Sequence, residues 1–302
     1  MNRRAWGGVL LVSAVATVAG LGWHRRGATG RPDRVWGRRG VRAGEFNRPR
    51  AATIDGKDRL WVVDFTARVQ AFDLDGNFFD FSWTTPDYRN GRPSGLGTDN
   101  QGRLLVADSH YHTLRTYAPD GTELGHADGG FGYLSDCVQD ASGFYYVSEF
   151  GEQDRITKLN PDGQVLSRWG GPGAGPGQFN RVRALAIGPD GLLYAVDACN
   201  HRVQVFTKDG QFVRSFGTPG SEPGEFRYPY DLSFGPSGEL YVVERANHRV
   251  QKLTSMGEPL AMWGSSGSGP GQLADPWAVV CDRFGRVHVI DTENHRVQRV
   301  RF

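Results

Sequence analysis

Apolar and polar residues alternate along most of the chain after residue 30. Residues 185–187 and 193–196 show this alternation on either side of the turn Pro189-Asp190-Gly191. Such a pattern around a short turn predicts two antiparallel β-strands. A second turn follows with an Asp-Gly pair such as Asp209-Gly210, where glycine accepts the positive φ of a two-residue hairpin. The pattern therefore predicts units of four antiparallel strands.

This four-stranded unit recurs about every 47 residues. Each copy ends its second strand with an acidic residue, and these acids are Asp64, Asp108, Glu149, Asp197, Glu244 and Asp291. Successive acids lie 44, 41, 48, 47 and 47 residues apart, but the first strand always begins 15 residues before the acid. The hairpin of strands one and two is therefore constant, and the connections between units vary in length.

Six such units predict an all-β fold in the form of a six-bladed β-propeller. A single meander cannot bury both of its faces, so the units must pack around a common axis. The sixth unit contains no fourth strand before Phe302, whereas residues 34–37 have the pattern of an unattached fourth strand. We expect this N-terminal strand to complete blade six and close the ring, which protects the sheet edges. The propeller is expected to span residues 31–302.

Residues 1–30 have a different pattern from the rest of the chain. An uncharged, mostly apolar run of 18 residues at 6–23 follows Arg3 and Arg4. This arrangement is typical of a secretory signal peptide, and the run is also long enough to span a bilayer. We interpret residues 1–30 as a signal peptide or an N-terminal membrane anchor, with membrane contact only through residues 6–23. In either case the propeller is expected outside the cytoplasm, exported to the periplasm, secreted, or anchored to the membrane.

Charge must be considered separately for these two regions. The full chain has 35 basic and 33 acidic residues, but residues 1–30 hold four arginines and no acid, so the remainder has a net charge of −2. A body so close to neutral lacks the basic footprint of a nucleic-acid-binding protein, and no nucleic-acid partner is expected. RNA binding through a local arginine cluster stays open. The cysteines Cys137, Cys199 and Cys281 fit neither a disulfide framework nor a zinc motif. We expect a monomer.

Three units begin the third strand with the same sequence, Asn-His-Arg-Val-Gln, at residues 200–204, 247–251 and 294–298. The preceding strand ends in a Tyr-Val-Asp-like segment, and the connection between units reads Gly-Pro-Gly-Gln-Phe at residues 175–179. With these motifs the chain resembles the NHL repeat family over residues 31–302, most specifically in the last three units. The resemblance implies a six-bladed NHL β-propeller of the type that bacteria export.

The repeated acids and nearby histidines are predicted to be structural. An Asp or Glu at the end of the second strand can accept hydrogen bonds from the turn and neutralise the arginine that follows. His112, His201, His248 and His295 occupy the same turn in different blades. Such positions lie on the order of 10 Å apart, too far to share a zinc ion whose ligand distances are ~2.1 Å. No metal site and no catalytic residue are predicted.

A second set of positions varies between the copies, directly after the start of the first strand. These positions should surround the mouth of the central channel on the loop face, where the longer and non-repeating connections lie. They are Arg50, Ser94, Ser135, Arg183, Tyr230 and Trp277, followed by Ala51, Gly95, Asp136, Ala184, Asp231 and Ala278. The candidate ligand-binding residues are Arg50, Asp136, Arg183, Tyr230, Asp231 and Trp277. Arginines can hold an anion and the rings can stack, although pairing of these groups among themselves is the alternative.

Our leading hypothesis is a non-catalytic binding module that holds a peptide, protein or glycan on the loop face without a cofactor. The alternative is an enzyme. The peptidyl-hydroxyglycine amidating lyase family is a similar six-bladed class, and this resemblance implies a zinc ion held by histidines in the channel. None of the twelve mouth positions is histidine. A metal-dependent lyase or hydrolase of that class, with Zn or Ca in the channel, stays open as the alternative.

Overall fold

The structure is a computed structural model that describes residues 30–86 and 93–302. Within them 24 β-strands form six sheets of four strands each. The predicted signal peptide or anchor, including residues 6–23, lies outside the described residues except for Gly30. In the part of the chain that the structure describes, no helix has the length and apolar character needed to cross a bilayer.

The first strand, β1, spans Arg34–Trp36 and precedes the blades. Blade one contains β2 (Pro49–Ile54), β3 (Leu60–Asp64), β4 (Arg68–Phe72) and β5 (Phe78–Thr84). Blade two contains β6 (Pro93–Thr98), β7 (Leu104–Asp108), β8 (Thr113–Tyr117) and β9 (Glu123–Ala127). Blade three contains β10 (Tyr133–Gln139), β11 (Tyr145–Phe150), β12 (Arg155–Leu159) and β13 (Val165–Gly170).

The remaining blades follow the same plan. Blade four contains β14 (Val182–Ile187), β15 (Leu193–Asp197), β16 (Arg202–Phe206) and β17 (Phe212–Phe216), with a short 3-10 turn at Ala198–Asn200. Blade five contains β18 (Pro229–Phe234), β19 (Leu240–Glu244), β20 (Arg249–Leu253) and β21 (Pro259–Trp263). Blade six contains β22 (Ala278–Cys281), β23 (Val287–Asp291) and β24 (Arg296–Val300), and its fourth strand is β1.

The ring closes through the N-terminal strand. β1 pairs antiparallel with β24, with Arg34 opposite Arg299 and Trp36 opposite Val297. The Nε of Arg299 also donates a hydrogen bond of 2.8 Å to Asp33. The prediction of an all-β, six-bladed propeller whose last blade is completed by the N-terminal strand is therefore confirmed.

The hydrophobic core lies between neighbouring blades. Val196 and Val203 of blade four, for example, pack with Leu232 and Leu240 of blade five. Strand residues that alternate in the sequence thus face either the preceding or the following blade, as the period of two requires. The core is consequently a ring of sheet-to-sheet interfaces around the central channel.

A second contact between neighbouring blades lies at their outer strands. An aromatic residue at the end of one outer strand covers the glycine in the last turn of the next blade. The pairs are Trp36 with Gly76, Trp83 with Gly121, Trp169 with Gly210, and Phe216 with Gly257. A Cβ atom at any of these glycines would overlap the ring, and each glycine has positive φ. Glycine is therefore required by both space and backbone conformation. We call this contact the aromatic joint.

Candidate ligand-binding site at the channel mouth

The first strands of the six blades surround a central cavity of about 350 Å³. All six candidate ligand-binding residues line this cavity, and so do Ser94 and Ser135. Arg50, Arg183, Tyr230 and Trp277 lie where the chain enters the first strands, and we call this end the mouth. The prediction that Ala278 lies at the channel mouth is wrong, because its side chain packs between blades six and one.

Bulges in the first strands position the side chains at the mouth. The pairing of strand one with strand two passes directly from Pro49 to Ala51 and from Pro229 to Asp231. Blades two and three show the same shift, and in blade four the pairing passes from Val182 to Leu185. The extra residue of a bulge is released from the ladder and its side chain is turned. The mouth residues Arg50, Tyr230 and Arg183 are such bulge residues.

Arginine and aromatic side chains stack upon each other at the mouth. The guanidinium carbon of Arg183 lies 4.4 Å from the ring centroid of Tyr230 and 5.8 Å from that of Trp277. Arg50 approaches Trp277 from another blade, at 4.8 Å. The two rings are tilted against each other with centroids 5.2 Å apart. Two guanidinium groups therefore share one indole ring, an arrangement in which each cation is attracted to the ring face.

Further arginines extend this cluster towards the loop face. Arg48 lies over Phe65 at 5.3 Å and Arg181 lies over Phe150 at 5.6 Å. Arg245 lies 5.5 Å from the ring of Tyr230. These residues were not predicted from the sequence, although they occupy fixed positions relative to the repeated residues. Arg48 and Arg181 stand two residues before a mouth residue, and Phe65, Phe150 and Arg245 directly follow a repeated acid.

Two acidic side chains partly neutralise the arginine cluster. Arg48 forms an ion pair with Glu293, and the Nη2 of Arg245 donates a 2.8 Å hydrogen bond to Asp275. In the cluster of Arg48, Arg50, Arg181, Arg183 and Arg245, two members are therefore each paired with an acidic side chain.

Asp136 and Asp231 lie on the channel wall below the mouth. The Oδ2 of Asp136 accepts a 2.9 Å hydrogen bond from the backbone N–H of Leu185 in the next blade. The Oδ2 of Asp231 accepts a 2.9 Å bond from the N–H of Val279 in the same manner. Each aspartate thus joins two neighbouring first strands.

Both aspartates titrate at higher pH than an ordinary carboxyl group. Burial, followed by the charge of Asp231, raises the pKa of Asp136. Burial also raises the pKa of Asp231, and the hydrogen bonds to Val279 and Leu232 and the charge of Arg183 offset it only in part. A buried carboxylate retains its proton to higher pH, and the charge of a second buried carboxylate adds to this effect. This retention reduces negative charge beneath the arginine cluster.

Some hydrogen-bond donors at the mouth lack an acceptor. In the described ranges the Nε of Arg183 and the Nε1 of Trp277 are buried and have no hydrogen-bond partner. Burying a donor in this way costs free energy unless a ligand or water accepts the bond. The mouth therefore combines a cluster of arginines, flat ring faces and donors that can bind an acceptor.

The six repeated acids have a different environment, and all are buried. Asp197 accepts hydrogen bonds from the backbone N–H of Asn180, from Asn200 and from the Nε of Arg202, at 2.8–2.9 Å. Glu244 and Asp291 bind the equivalent residues of blades five and six. The acids that sequence analysis assigned to structure therefore hold the turn and its arginine in these blades.

The repeated histidines connect neighbouring blades. The Nδ1 atoms of His201, His248 and His295 accept backbone N–H bonds of 3.1, 3.3 and 3.0 Å from the next blade. Over residues 30–86 and 93–302, no three His, Cys, Asp or Glu side chains are arranged to hold a metal ion. The described residues thus do not fit the zinc site that the resemblance to the amidating lyase implied.

The sheets, the closing strand and the polar channel define a six-bladed β-propeller with a candidate site at one channel mouth. Comparison with known families adds the type of repeat, because the NHL repeat model matches residues 179–206 and 226–253. The chain carries NHL repeats in a six-bladed β-propeller.

Solved structures of other proteins share this fold. A protein of unknown function from Bacteroides thetaiotaomicron matches with a TM-score of 0.67 at 16% identity, over 88% of this chain and 74% of that one. Streptogramin B lyase matches with a TM-score of 0.63 at 15% identity, over 87% and 95% of the two chains. The WD40 propeller domain of Doa1 matches with a TM-score of 0.60 at 14% identity, over 83% and 78%. At such identities the similarity shows the fold alone.

Proposed function

We propose that this protein is a non-catalytic binding module that holds an anionic group of a peptide, protein or glycan at the channel mouth. The observation that carries the proposal is the cluster of five arginines interleaved with the rings of Phe65, Phe150, Tyr230 and Trp277. We also propose that the propeller functions outside the cytoplasm, and this part of the proposal rests on the sequence of residues 1–30.

An anion is the ligand group that best matches the mouth. Arg50 and Arg183 approach the same indole ring from different blades, and a guanidinium group binds a carboxylate, sulfate or phosphate through charge-assisted hydrogen bonds. The unpartnered Nε of Arg183 and Nε1 of Trp277 supply further donors. A flat part of the ligand, such as a sugar ring or a peptide plane, can stack on the exposed part of the aromatic surface.

The net charge of the propeller favours a discrete anionic group over a long polyanion. Residues 31–302 have a net charge of −2, so the positive mouth is confined to one part of an otherwise slightly acidic molecule. Nucleic-acid binding depends on many phosphate contacts and weakens steeply with salt. We therefore place protein, peptide and glycan ligands before RNA.

The test is a binding panel of matched acidic and neutral ligands. It contains peptides with a free C-terminal carboxylate and their amides, uronic-acid oligosaccharides and neutral counterparts, and single-stranded RNA. We expect acidic peptides or glycans to bind, and the Arg50→Gln and Arg183→Gln variants to lose about tenfold or more in affinity, because a hydrogen bond to a charged group contributes about 1.5–3 kcal/mol.

Arg168→Gln is the matched control, because Arg168 is an exposed arginine on an outer strand. The control should bind like the wild type. Equal binding of acidic and neutral partners, or unchanged affinity in both mouth variants, would contradict the proposal. Tight RNA binding with steep salt dependence would contradict the choice of ligand class.

The second candidate is a lyase or hydrolase that acts in the channel. Asp136 and Asp231 favour it, because a carboxyl group with a raised pKa can act as a general acid or base near neutral pH. The fold shared with streptogramin B lyase is compatible with it. Metal analysis of the purified protein separates the candidates. Stoichiometric zinc or calcium that is lost in Asp136→Ala or Asp231→Ala would favour the enzyme.

A further inference from the structure

The aromatic joint is absent between blades two and three. Strand pairing shows that Ala127 is equivalent to Trp83 and Trp169. Each of the three lies opposite an apolar residue at the start of the third strand, namely Leu114, Val69 and Ile156 respectively. Ala127 therefore occupies the position that holds an aromatic ring in blades one and three. The next turn still has a glycine, Gly163, with φ of +81°.

The last turn of blade three contains the glycine of the joint, although no aromatic ring covers it. A Cβ atom at Gly163 would have a single neighbour within 4 Å, the methyl group of Ala127 at 3.2 Å. At the equivalent Gly121 and Gly210 a Cβ atom would overlap an indole ring. The space that a ring fills at these two joints is therefore open at the joint between blades two and three.

A cleft of about 170 Å³ occupies this place. Its lining is mixed, because Leu114, Leu124, Ala127, Tyr145 and Pro161 supply apolar surface and Arg103, Thr116, His126 and Asp162 supply polar surface. We call this cleft the rim pocket. An apolar cavity of about 150 Å³ is large enough to bind benzene, so the rim pocket has the volume that an aromatic ring needs.

The walls of the rim pocket are themselves well fixed. Tyr145 is 5% exposed, and its hydroxyl accepts a 3.2 Å bond from Arg103. Arg103 is in turn paired with Asp99 at 2.5 Å. Leu114 is buried, whereas Leu124 is 52% exposed at the open side. Because the walls are held in place and Leu124 is exposed at the opening, the pocket is suited to the entry of an aromatic ring from solvent.

We propose that the rim pocket binds an aromatic side chain, Trp or Phe, of an extended peptide segment of a partner protein. β9 is the outer strand of blade two, and four of its five residues are exposed. An outer strand can pair with an added extended segment, whose alternate side chains then point into adjacent pockets. The inserted ring would cover Gly163 in the manner of Trp83 over Gly121. The rim pocket is independent of the channel mouth.

The probe for this site is N-acetyl-tryptophanamide, with the alanine analogue as a ligand control. In the full chain, methyl NMR signals of Ala127, Leu114 and Leu124 should shift with millimolar tryptophan probe and stay in place with the alanine probe. In Ala127→Trp the new ring should fill the pocket, raise the melting temperature and weaken probe binding by about tenfold or more. Ala127→Phe provides a smaller ring should the indole fit poorly.

Leu166→Trp is the matched control, because it adds an indole at a position that is 53% exposed on the outer strand of blade three. It should neither raise the melting temperature nor weaken probe binding. Absence of shifts in the wild-type methyl groups would overturn the proposal, and so would probe binding as tight as that of the wild type in both Ala127→Trp and Ala127→Phe. Self-association that depends on Ala127, without probe binding, would assign the pocket to a second copy of the chain and also overturn it.

Discussion

Asp136 and Asp231 each accept a hydrogen bond that joins two blades, although burial disfavours the charged form of their carboxyl groups. Each carboxylate accepts a backbone N–H from the neighbouring blade, yet burial raises the pKa of both residues. The native state therefore binds more protons than the unfolded chain at pH values between the ordinary and the raised pKa. The contribution of these two groups to stability is then fully present below the ordinary carboxyl pKa and is lost as the pH rises through the raised values.

The first prediction is that Asp136→Asn flattens this pH dependence. The wild type should lose at least about 1.4 kcal/mol of unfolding free energy between pH ~5 and pH ~9, the equivalent of one pKa unit. The amide oxygen of Asn can still accept the bond from Leu185, so the fold should persist. Denaturant unfolding across this pH range measures the effect. Asp209→Asn is the control, since Asp209 is 83% exposed, and an equally steep profile in Asp136→Asn would contradict the account.

Residues of the mouth were only partly predictable from the sequence. Arg50, Arg183, Tyr230 and Trp277 could be placed by their fixed distance from the repeated acids. Arg48, Arg181 and Arg245 belong to connections, and their approach to the rings depends on bulges that change strand pairing without changing that distance. Stacking across blades is a tertiary contact and leaves no local pattern.

The hairpin of strands one and two is the element in which the repeat is most regular. Its acid is buried and binds both the preceding connection and the arginine of the third strand, as Asp197 does with Asn180 and Arg202. Removal of one partner from such a buried pair leaves an uncompensated charge. The acid should therefore contribute to stability and have no direct role at the mouth.

The second prediction is that Asp197→Ala destabilises the propeller by about 3–5 kcal/mol. Asp209→Ala should change stability by less than about 0.5 kcal/mol, because an exposed ion pair contributes little. Denaturant unfolding at neutral pH gives both values. An Asp197→Ala variant as stable as the control would show that the repeated acid is not a structural element.

Closure of blade six gives the third prediction, since β1 supplies its outer strand. Deletion of residues 31–40 removes this strand and the ring of Trp36 from its joint with Gly76. We expect loss of the cooperative thermal transition, because blade six would then expose β24 as an open edge. Calorimetry of the deletion variant and of Trp36→Phe, which keeps a ring, tests this. Identical melting of the deletion variant and the full chain would refute closure as a stabilising element.

At the level of elements the sequence was highly informative. Alternation and Asp-Gly turns are local signals, and they predicted the hairpins, the blades and the closing strand. The aromatic joints were not predicted, because each pairs the end of one outer strand with a turn some 40 residues away in the chain, as Trp169 and Gly210 do. The missing ring at Ala127 became visible only when the joints were compared in space.

The whole molecule concentrates positive charge at one end of a slightly acidic ring. Arginines from blades one, four and five meet at the mouth, although Arg48 and Arg245 are separated by nearly 200 residues. Net charge averages over this arrangement, so the composition argued against a nucleic-acid partner without excluding a local arginine cluster. Asp136 and Asp231 below the mouth add a pH dependence, because their ionisation opposes an anion at the mouth.

Calorimetric titration with sulfate tests the central claim, that the mouth is an anion-binding site. Wild type, Arg183→Gln and Asp136→Asn are compared at pH ~5 and pH ~9. We predict that the wild type binds sulfate more tightly at the lower pH, that Arg183→Gln binds weakly at both, and that Asp136→Asn loses less affinity at the higher pH. Equal sulfate affinity in all three proteins at both pH values would contradict the claim.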